Sequence, residues 1–174
     1  MLHTNKIEAY IGVGSNLNDP VQQVLAAKQV LQGLPETDLT KFSSLYASSP
    51  MGPQDQPDYI NAVALLKTTL SAHQLLEQLQ AIETQQGRVR KQHWGARTLD
   101  LDILLYGNQQ INTPDLVIPH AGIAERAFVL FPLHDIASRL EIPGHGKLID
   151  LFSACPANRI QKLVGLEAHA LRVS

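Results

Sequence analysis

The chain has 174 residues, of which 44% are hydrophobic and 17% are charged, a composition that predicts one folded domain and excludes a disordered chain. The 14 basic and 16 acidic residues leave a net charge of -2, which argues against a nucleic-acid or membrane-surface binder. A single cysteine, Cys155, excludes a disulfide framework and a cysteine zinc site. No apolar run of membrane-spanning length and no secretory signal is visible, so we expect a cytoplasmic protein.

The first third of the chain predicts a strand, a helix and a second strand. Residues 9–13 form an apolar run that predicts the first strand, and residues 12–16 are interpreted as a tight turn from strand to helix. Asp19 is the predicted N-cap of this helix, because Pro20 suits the first helical position, and Gly33 ends it. Residues 38–48 alternate moderately in hydropathy and predict the next strand.

A loop separates that strand from the next strand–helix pair. Residues 49–57 contain three prolines and a glycine, which exclude regular structure. Residues 59–69 predict a strand. Ser71 and Gln74 have the spacing of a capping box at the start of the second helix, which ends at Gly87.

The remainder of the chain completes the predicted fold. A strand is expected at residues 98–106, an extended segment at 112–120, a helix at 124–137 broken by Pro132, and a last helix at 148–155. This order predicts an α+β fold, a ferredoxin-like plait with a mainly antiparallel sheet and helices packed on one face. We divide the chain into one folded domain, residues 1–158, and a C-terminal tail, residues 159–174, of unassigned role and without a predicted element.

Two carboxylates on the predicted strand at residues 98–106 indicate a metal site. Asp100 and Asp102 point to the same side of a strand, while Leu99, Leu101, Ile103 and Leu105 are expected to point into the core. Aspartate is disfavoured in strands, and two adjacent carboxylates repel unless a cation compensates. Mg²⁺ is a suitable cation, because it combines one or two carboxylates with substrate phosphates. A solvated strand face is the alternative interpretation.

A basic segment precedes the carboxylates. Its cationic side chains and one histidine lie within ten residues: Arg88, Arg90, Lys91, His93 and Arg97. Guanidinium groups bind phosphate oxygens in a bidentate manner, and phosphoryl transfer depends on positioning and charge neutralisation. Gly87 and Gly95 flank the segment as possible hinges of a lid. The alternative is an ordinary basic surface loop.

Aromatic side chains are few, and three of them could form a stacking slot for a flat heterocycle. They are Tyr59 at the end of the proline-rich loop, Trp94 in the basic segment and Phe128 near the third helix. Asn61 lies on the same strand face as Tyr59 and could read the edge of such a ring, because an amide both donates and accepts. His120, after Pro119, is a candidate phosphate contact. Core packing is the alternative for each aromatic residue.

Five segments together resemble the family of 6-hydroxymethyl-7,8-dihydropterin pyrophosphokinase, an enzyme of folate biosynthesis. In chain order they read GSNL (residues 14–17), GPQDQPDYIN (52–61), QGRVR (86–90), WGARTLDLD (94–102) and IPH (118–120). The resemblance covers residues 9–137. It implies a monomeric α+β kinase that transfers pyrophosphate from ATP, its co-substrate, to the pterin hydroxymethyl group and releases AMP.

The resemblance also implies residue roles. Asp100 and Asp102 would hold two Mg²⁺ ions, and Arg88 and Arg97 would be catalytic. The pterin would be bound by Ser48, Met51, Tyr59, Asn61, Trp94 and Phe128. ATP would be bound by Gln80, Glu83, Arg88, Arg90, Trp94, Arg97, Ile103, His120 and Arg126. Residues 87–97 would close over both substrates as a mobile loop.

Three positions depart from the family pattern. His93 stands where an arginine usually precedes the tryptophan, Asp115 stands where a basic residue often contacts the nucleotide, and Ala121 replaces a common aromatic residue. We expect these departures to weaken ATP binding or to speed the lid, without loss of the reaction.

Three alternatives compete with this interpretation. A non-catalytic pterin- or nucleotide-binding module would not need a cationic segment beside a carboxylate pair. A metal-dependent phosphohydrolase would usually add histidines or further carboxylates. A structural or interaction protein would leave the aspartate pair unexplained.

Overall fold

An antiparallel sheet forms the centre of the protein. The computed structural model describes residues 5–49, 58–86, 98–157 and 160–164. The strands within these ranges are β1 (Ile7–Ser15), β2 (Thr37–Phe42), β3 (Tyr46–Ser48), β4 (Tyr59–Thr68), β5 (Asp100–Tyr106), β6 (Ile111–Thr113), β7 (Leu116–Ile118), β8 (Glu141–Ile142), β9 (Gly146–Lys147) and β10 (Ile160–Lys162). The helices there are α1 (Pro20–Gln32), α2 (Ala72–Gln85), α3 (Ala127–Ile136) and α4 (Leu148–Ala154).

The strand order in the main sheet is β10-β3-β4-β1-β5, and β2 pairs with β4 beside β3. Every pairing is antiparallel. The long strand β4 therefore lies between β1 and the strands β2 and β3, which is the arrangement of a ferredoxin-like plait. The predicted α+β fold is confirmed.

Strands β2 and β3 replace the single strand predicted at residues 38–48. At the break, the Ser43 N–H donates to the Val63 carbonyl at 2.9 Å, and the Val63 N–H donates to the Ser43 hydroxyl at 2.9 Å. The Ser44 N–H donates to the Asp135 carboxylate of α3 at 2.8 Å. Side-chain oxygens of Ser43 and Asp135 thus accept from backbone N–H groups that would otherwise bond to backbone carbonyls of a neighbouring strand, and the strand is interrupted.

Helices cover both faces of the sheet, so the prediction of helices on one face was wrong. Helices α1 and α2 pack against one face, where the core includes Ile11, Leu66 and Leu79. Helices α3 and α4 pack against the other face, around Val63 and Leu130. The side chains of β4 are buried on both faces, because a near-continuous apolar strand needs cover on each side.

Most predicted helix signals are found in the structure. Pro20 opens α1 and Asp19 occupies its N-cap position, as predicted, but Asp19 has a φ of 62° and its side chain makes no capping hydrogen bond. The capping box of α2 is present: the Gln74 N–H donates to the Ser71 hydroxyl at 3.1 Å, and the Ser71 N–H donates to the Gln74 side chain at 2.9 Å. No described helix has the length and apolar content needed to cross a bilayer.

The C-terminal elements differ in detail from prediction. The extended segment at 112–120 is a hairpin of β6 and β7. Helix α3 continues through Pro132, because Leu130 and Leu133 on either side are fully buried and hold the backbone against the sheet despite the lost hydrogen bond. Strand β10, in the predicted tail, pairs with β3.

Candidate active site

Asp100 and Asp102 occupy the first half of β5, the last strand of the main sheet. Asp100 is half-buried, and the Asp102 side chain is 54% exposed. Leu101, between them, is buried on the opposite face with Ile103. The predicted alternation therefore places both carboxylates on the same face of the sheet, at its edge.

A β-bulge ends this alternation. Tyr10 of β1 pairs with Leu105, and Ile11 pairs with Ile103, so Leu104 is an additional residue in β5. The bulge places Leu105 in the core beneath α3, on the face opposite Ile103. The prediction that Leu105 shares a face with Ile103 was wrong for this reason.

Two glycines of β1 face the carboxylates. Gly14 lies opposite Asp100 on one side and Asn61 on the other, while Gly12 lies opposite Asp102. Both glycines are part of a regular strand, which corrects the turn predicted at residues 12–16. Because glycine has no side chain, β1 places no side chain on the sheet face between Asn61 and Asp100.

Part of the predicted pterin slot lies beside this open face. Ser48 is paired with Tyr59 across β3 and β4, and the Asn61 amide donates to the Ser48 hydroxyl at 2.8 Å. Ser48 and Asn61 are each only 6% exposed. A Cβ on Gly14 would lie 2.9 Å from Oδ1 of the Asn61 side chain, so the side-chain amide also packs against this glycine.

Phe128 and Arg126 lie at the start of α3, over the same sheet face. Phe128 packs against the core that includes Val63, and the Arg126 guanidinium carbon lies 5.7 Å from the Phe128 ring centroid. The other predicted pterin residues, Met51 and Trp94, lie outside the described residues.

His120 is held beside Asp102. Its Nε2 lies 3.9 Å from an Asp102 carboxylate oxygen, and its Nδ1 accepts a hydrogen bond of 3.1 Å from the Gly122 N–H. The backbone N–H of His120 donates to the carbonyl of Leu104, the bulge residue, at 3.0 Å. In the neutral ring Nε2 therefore carries the proton and faces the carboxylate side of the site. Arg126 packs over Gly122, since a Cβ there would lie 2.3 Å from its Nε.

The predicted ATP-binding residues differ from one another in burial. Glu83 of α2 is buried, and its carboxylate accepts a hydrogen bond of 2.8 Å from the Leu101 N–H. Gln80, one turn earlier, is exposed. The Ile103 side chain is in the core, so any nucleotide contact from this residue has to involve main-chain atoms. Arg88, Arg90 and Arg97, as well as His93, lie outside the described residues.

The departure at Asp115 has a structural explanation. The Thr113 hydroxyl donates to the Asp115 carboxylate at 2.8 Å, and His73 of α2 lies 3.2 Å from the same oxygen. These hydrogen bonds, from Thr113 first and then from His73, lower the pKa of Asp115. Asp115 thus joins the β6–β7 hairpin to α2. Ala121 is exposed.

The donor set suits a hard cation that brings further ligands with it. Within the described ranges, no group of three or more histidine, cysteine, aspartate or glutamate side chains could hold a metal. Asp100 and Asp102 offer carboxylate oxygens on an open face, and Mg²⁺ usually completes such a set with waters and phosphates. The glycine face and the contact of Arg126 with Gly122 were not predicted from the sequence. For the glycine face, the alternation of Gly12 and Gly14 with apolar residues was the available signal.

Comparison with known proteins places the chain in a family. Residues 10–138 match the family described as 7,8-dihydro-6-hydroxymethylpterin-pyrophosphokinase (HPPK). Curated relatives named 2-amino-4-hydroxy-6-hydroxymethyldihydropteridine pyrophosphokinase include one from Pseudomonas aeruginosa, 50% identical over 90% of this chain and 96% of its own length. One from Haemophilus influenzae is 51% identical over 90% of this chain and 98% of its own length.

Solved structures share the fold at low sequence identity. The Plasmodium falciparum HPPK-DHPS wild-type structure with pteroate superposes with a TM-score of 0.66 at 14% identity, covering 88% of this chain. This chain spans only 43% of that protein. The family match extends over the carboxylate pair, the glycine face and the Ser48–Asn61 pair, two relatives are at least 50% identical over 90% of the chain, and the chain therefore belongs to the 7,8-dihydro-6-hydroxymethylpterin-pyrophosphokinase family.

Proposed function

We propose that the chain transfers pyrophosphate from ATP to the hydroxymethyl group of 6-hydroxymethyl-7,8-dihydropterin in folate biosynthesis. The observation that carries this proposal is the register Asn61–Gly14–Asp100 across three adjacent strands. Adjacent strands are about 4.8 Å apart, so the backbones of Asn61 and Asp100 lie about 10 Å from each other, with Gly14 between them. This spacing suits a heterocycle on one side and a reacting phosphate on the other.

Asn61 would recognise the edge of the pterin. One of its amide hydrogens bonds to Ser48, which orients the group. The remaining amide hydrogen and a carbonyl lone pair are suited to the mixed donors and acceptors of a pterin edge. Tyr59 lies on the same strand face, and the proposed slot is completed by Met51, Trp94 and Phe128.

Asp100 and Asp102 would hold two Mg²⁺ ions between the ATP phosphates. When bound, Mg²⁺ neutralises phosphate charge and stabilises charge that develops during transfer. The two carboxylates and the nearby Nε2 of His120 lie on one face of the sheet, open to a substrate. His120 would donate from Nε2 to a phosphate oxygen, since its Nδ1 is occupied by the Gly122 N–H.

The cationic side chains would bind and neutralise the triphosphate. Arg126 is held over Gly122 near His120, and Arg88 and Arg97 are proposed to stabilise charge during transfer. In the reaction, the substrate hydroxyl oxygen forms a bond to the β-phosphorus and loses its proton to solvent. The bond from the β-phosphorus to the oxygen that joins it to the α-phosphorus breaks, and AMP leaves with that oxygen. Gln80, Glu83, Arg90, Trp94 and Ile103 complete the proposed ATP site.

We propose that the protein acts on these small molecules as a cytoplasmic monomer. The deciding experiment incubates the chain with ATP, Mg²⁺ and 6-hydroxymethyl-7,8-dihydropterin and separates the nucleotide products. AMP formed in equal amount to pterin diphosphate supports the proposal. ADP as product contradicts transfer of two phosphates, and phosphate release without the pterin indicates a hydrolase. Binding of both substrates without turnover indicates a binding module.

A further inference from the structure

A second cleft, of about 390 Å³, opens on the sheet face that carries the aspartate pair. It lies between β1, β2 and β4 and the chain that follows α3. We name it the distal cleft and define it by Glu8, Tyr10, Lys41, Leu65, Lys67 and Arg139. The proposed active site uses none of these residues.

The distal cleft is separated from the active site by α3. Phe128, in the first turn of this helix, lies at the active-site end, and Ile136, its last residue, lines the cleft. Ten helical residues extend over about 15 Å. Along β1, Glu8 and Gly14 are six residues apart, which corresponds to about 20 Å.

Tyr10 supplies a buried polar group that faces this cleft. The residue is only 7% exposed, yet its hydroxyl makes no hydrogen bond to any residue in the described part of the chain. The hydroxyl of buried Tyr106, by contrast, donates to the Leu70 carbonyl. A buried hydroxyl without a partner is costly, which indicates that a ligand or solvent supplies the acceptor. Burial, followed by the charge of Glu8, raises the pKa of Tyr10, so the hydroxyl stays protonated and can donate.

The charges around Tyr10 favour an anion. Among the residues that the structure describes, three basic residues and one acidic residue line the distal cleft: Lys41, Lys67, Arg139 and Glu8. Asp38 lies across from Lys67 on β2, but it is paired with Lys6. Lys41 also donates to the Ile136 carbonyl at 3.4 Å, which offsets the negative end of α3. The cleft therefore has a positive balance of two charges.

We propose that the distal cleft binds a small organic anion. Its charged group lies among the three basic side chains and accepts the hydrogen bond that the Tyr10 hydroxyl offers. Its apolar body lies against Leu65, Ile136 and Leu140, which supply the apolar part of the lining. A buried donor, cationic sides and an apolar wall are the features that small-molecule sites combine.

The test is a titration of the full, ¹⁵N-labelled chain with benzoate, followed by amide chemical shifts. We expect saturable shifts at Tyr10, Lys41 and residues 136–140, with a millimolar dissociation constant. Benzamide, which has the same ring without the charge, is expected to bind at least tenfold more weakly. Equal binding of benzamide, or no saturable shift near Tyr10, overturns the proposal. Inorganic phosphate binding as tightly as benzoate contradicts the role of the apolar wall.

Two variants and a control test the residues. Tyr10→Phe removes only the hydroxyl, and Arg139→Gln removes an exposed charge; each should weaken benzoate binding at least fivefold. Lys147→Gln, an exposed basic residue outside the cleft, should leave binding unchanged. Spectra that remain native outside the cleft establish that each variant is folded, and turnover of ATP should stay within twofold of native. Native affinity in both Tyr10→Phe and Arg139→Gln overturns the proposal.

Discussion

The Glu83 carboxylate of α2 accepts a hydrogen bond of 2.8 Å from the N–H of Leu101, the residue between the two aspartates of β5. Leu101 lies on the last strand of the sheet, and Glu83 is buried. The helix therefore supplies an acceptor to a strand edge that has no further strand beside it in the described part of the chain. This contact fixes the position of the strand segment that carries Asp100 and Asp102 relative to α2.

Replacing Glu83 should destabilise the protein. Glu83→Ala leaves the Leu101 N–H without this acceptor, and we expect a loss of about 1–3 kcal/mol in the free energy of unfolding. Glu83→Gln keeps a carbonyl acceptor and should lose less. Urea denaturation measures both, with exposed Gln80→Ala, one turn away, as the control. An unchanged midpoint in Glu83→Ala would show that the contact is unimportant.

Asp100→Ala and Asp102→Ala should each reduce kcat by several orders of magnitude with little change in stability. The reason is that both side chains face away from the α1–α2 core and are proposed to hold Mg²⁺. Steady-state kinetics at saturating ATP and Mg²⁺ test this, with exposed Glu141→Gln as a matched loss of one negative charge. Native turnover in either aspartate variant refutes the assignment.

Gly14→Ala should raise the KM for the pterin. The new methyl group would lie 2.9 Å from Oδ1 of the Asn61 side chain and displace the side-chain amide from Ser48. We expect an increase of at least tenfold, with a much smaller effect on the KM for ATP. Gly12→Ala is the matched control on the same strand face, because the nearest neighbour of its methyl group would be the Leu104 side chain, at 3.4 Å. Equal effects of the two substitutions would contradict the role of Asn61.

Arg97→Ala should lower kcat more than it raises the Kd for ATP. This residue precedes the aspartate pair and is proposed to stabilise charge that develops during transfer rather than to bind the ground state. Single-turnover kinetics and nucleotide titration separate the two quantities. The reverse pattern would make Arg97 a simple binding residue.

Asp135 should make stability depend on acid pH. Burial raises the pKa of this carboxyl, but hydrogen bonds from the Ser44 N–H and Lys162 outweigh burial and hold it below its ordinary value of 3.8. Because the folded pKa is below the unfolded one, the carboxylate stabilises the fold above about pH 4, and this contribution is lost as pH falls through the folded pKa.

Thermal unfolding from pH 7 to pH 3 measures this effect. Asp135→Asn should be less stable than the native chain at pH 7, and the difference should shrink below about pH 4. Asp150→Asn, at an exposed position of α4, is the control and should show a smaller difference. A difference that is independent of pH would mean that the carboxylate charge is not involved.

The period of two along β5 predicts from sequence that Asp100 and Asp102 share a face, and the spacing of Ser71 and Gln74 predicts the start of α2. Both are local properties, set by backbone geometry and by contacts within four residues. The break at Ser43 and the displacement of Leu105 were not predictable in this way. Each depends on a partner from a distant segment, Val63 in one case and Tyr10 in the other.

The order and type of the longer strands and helices, and the position of Asp100 and Asp102 on one face of their strand, follow from the sequence by itself, because short-range sterics and the burial of apolar side chains determine them. Strand pairing in the tertiary structure decided the rest: which glycine separates Asn61 from Asp100, and which face α3 covers. Residues 160–162 illustrate the reason. Their apolar pattern is too weak to predict a strand, and they become one because the edge of β3 offers unpaired backbone groups.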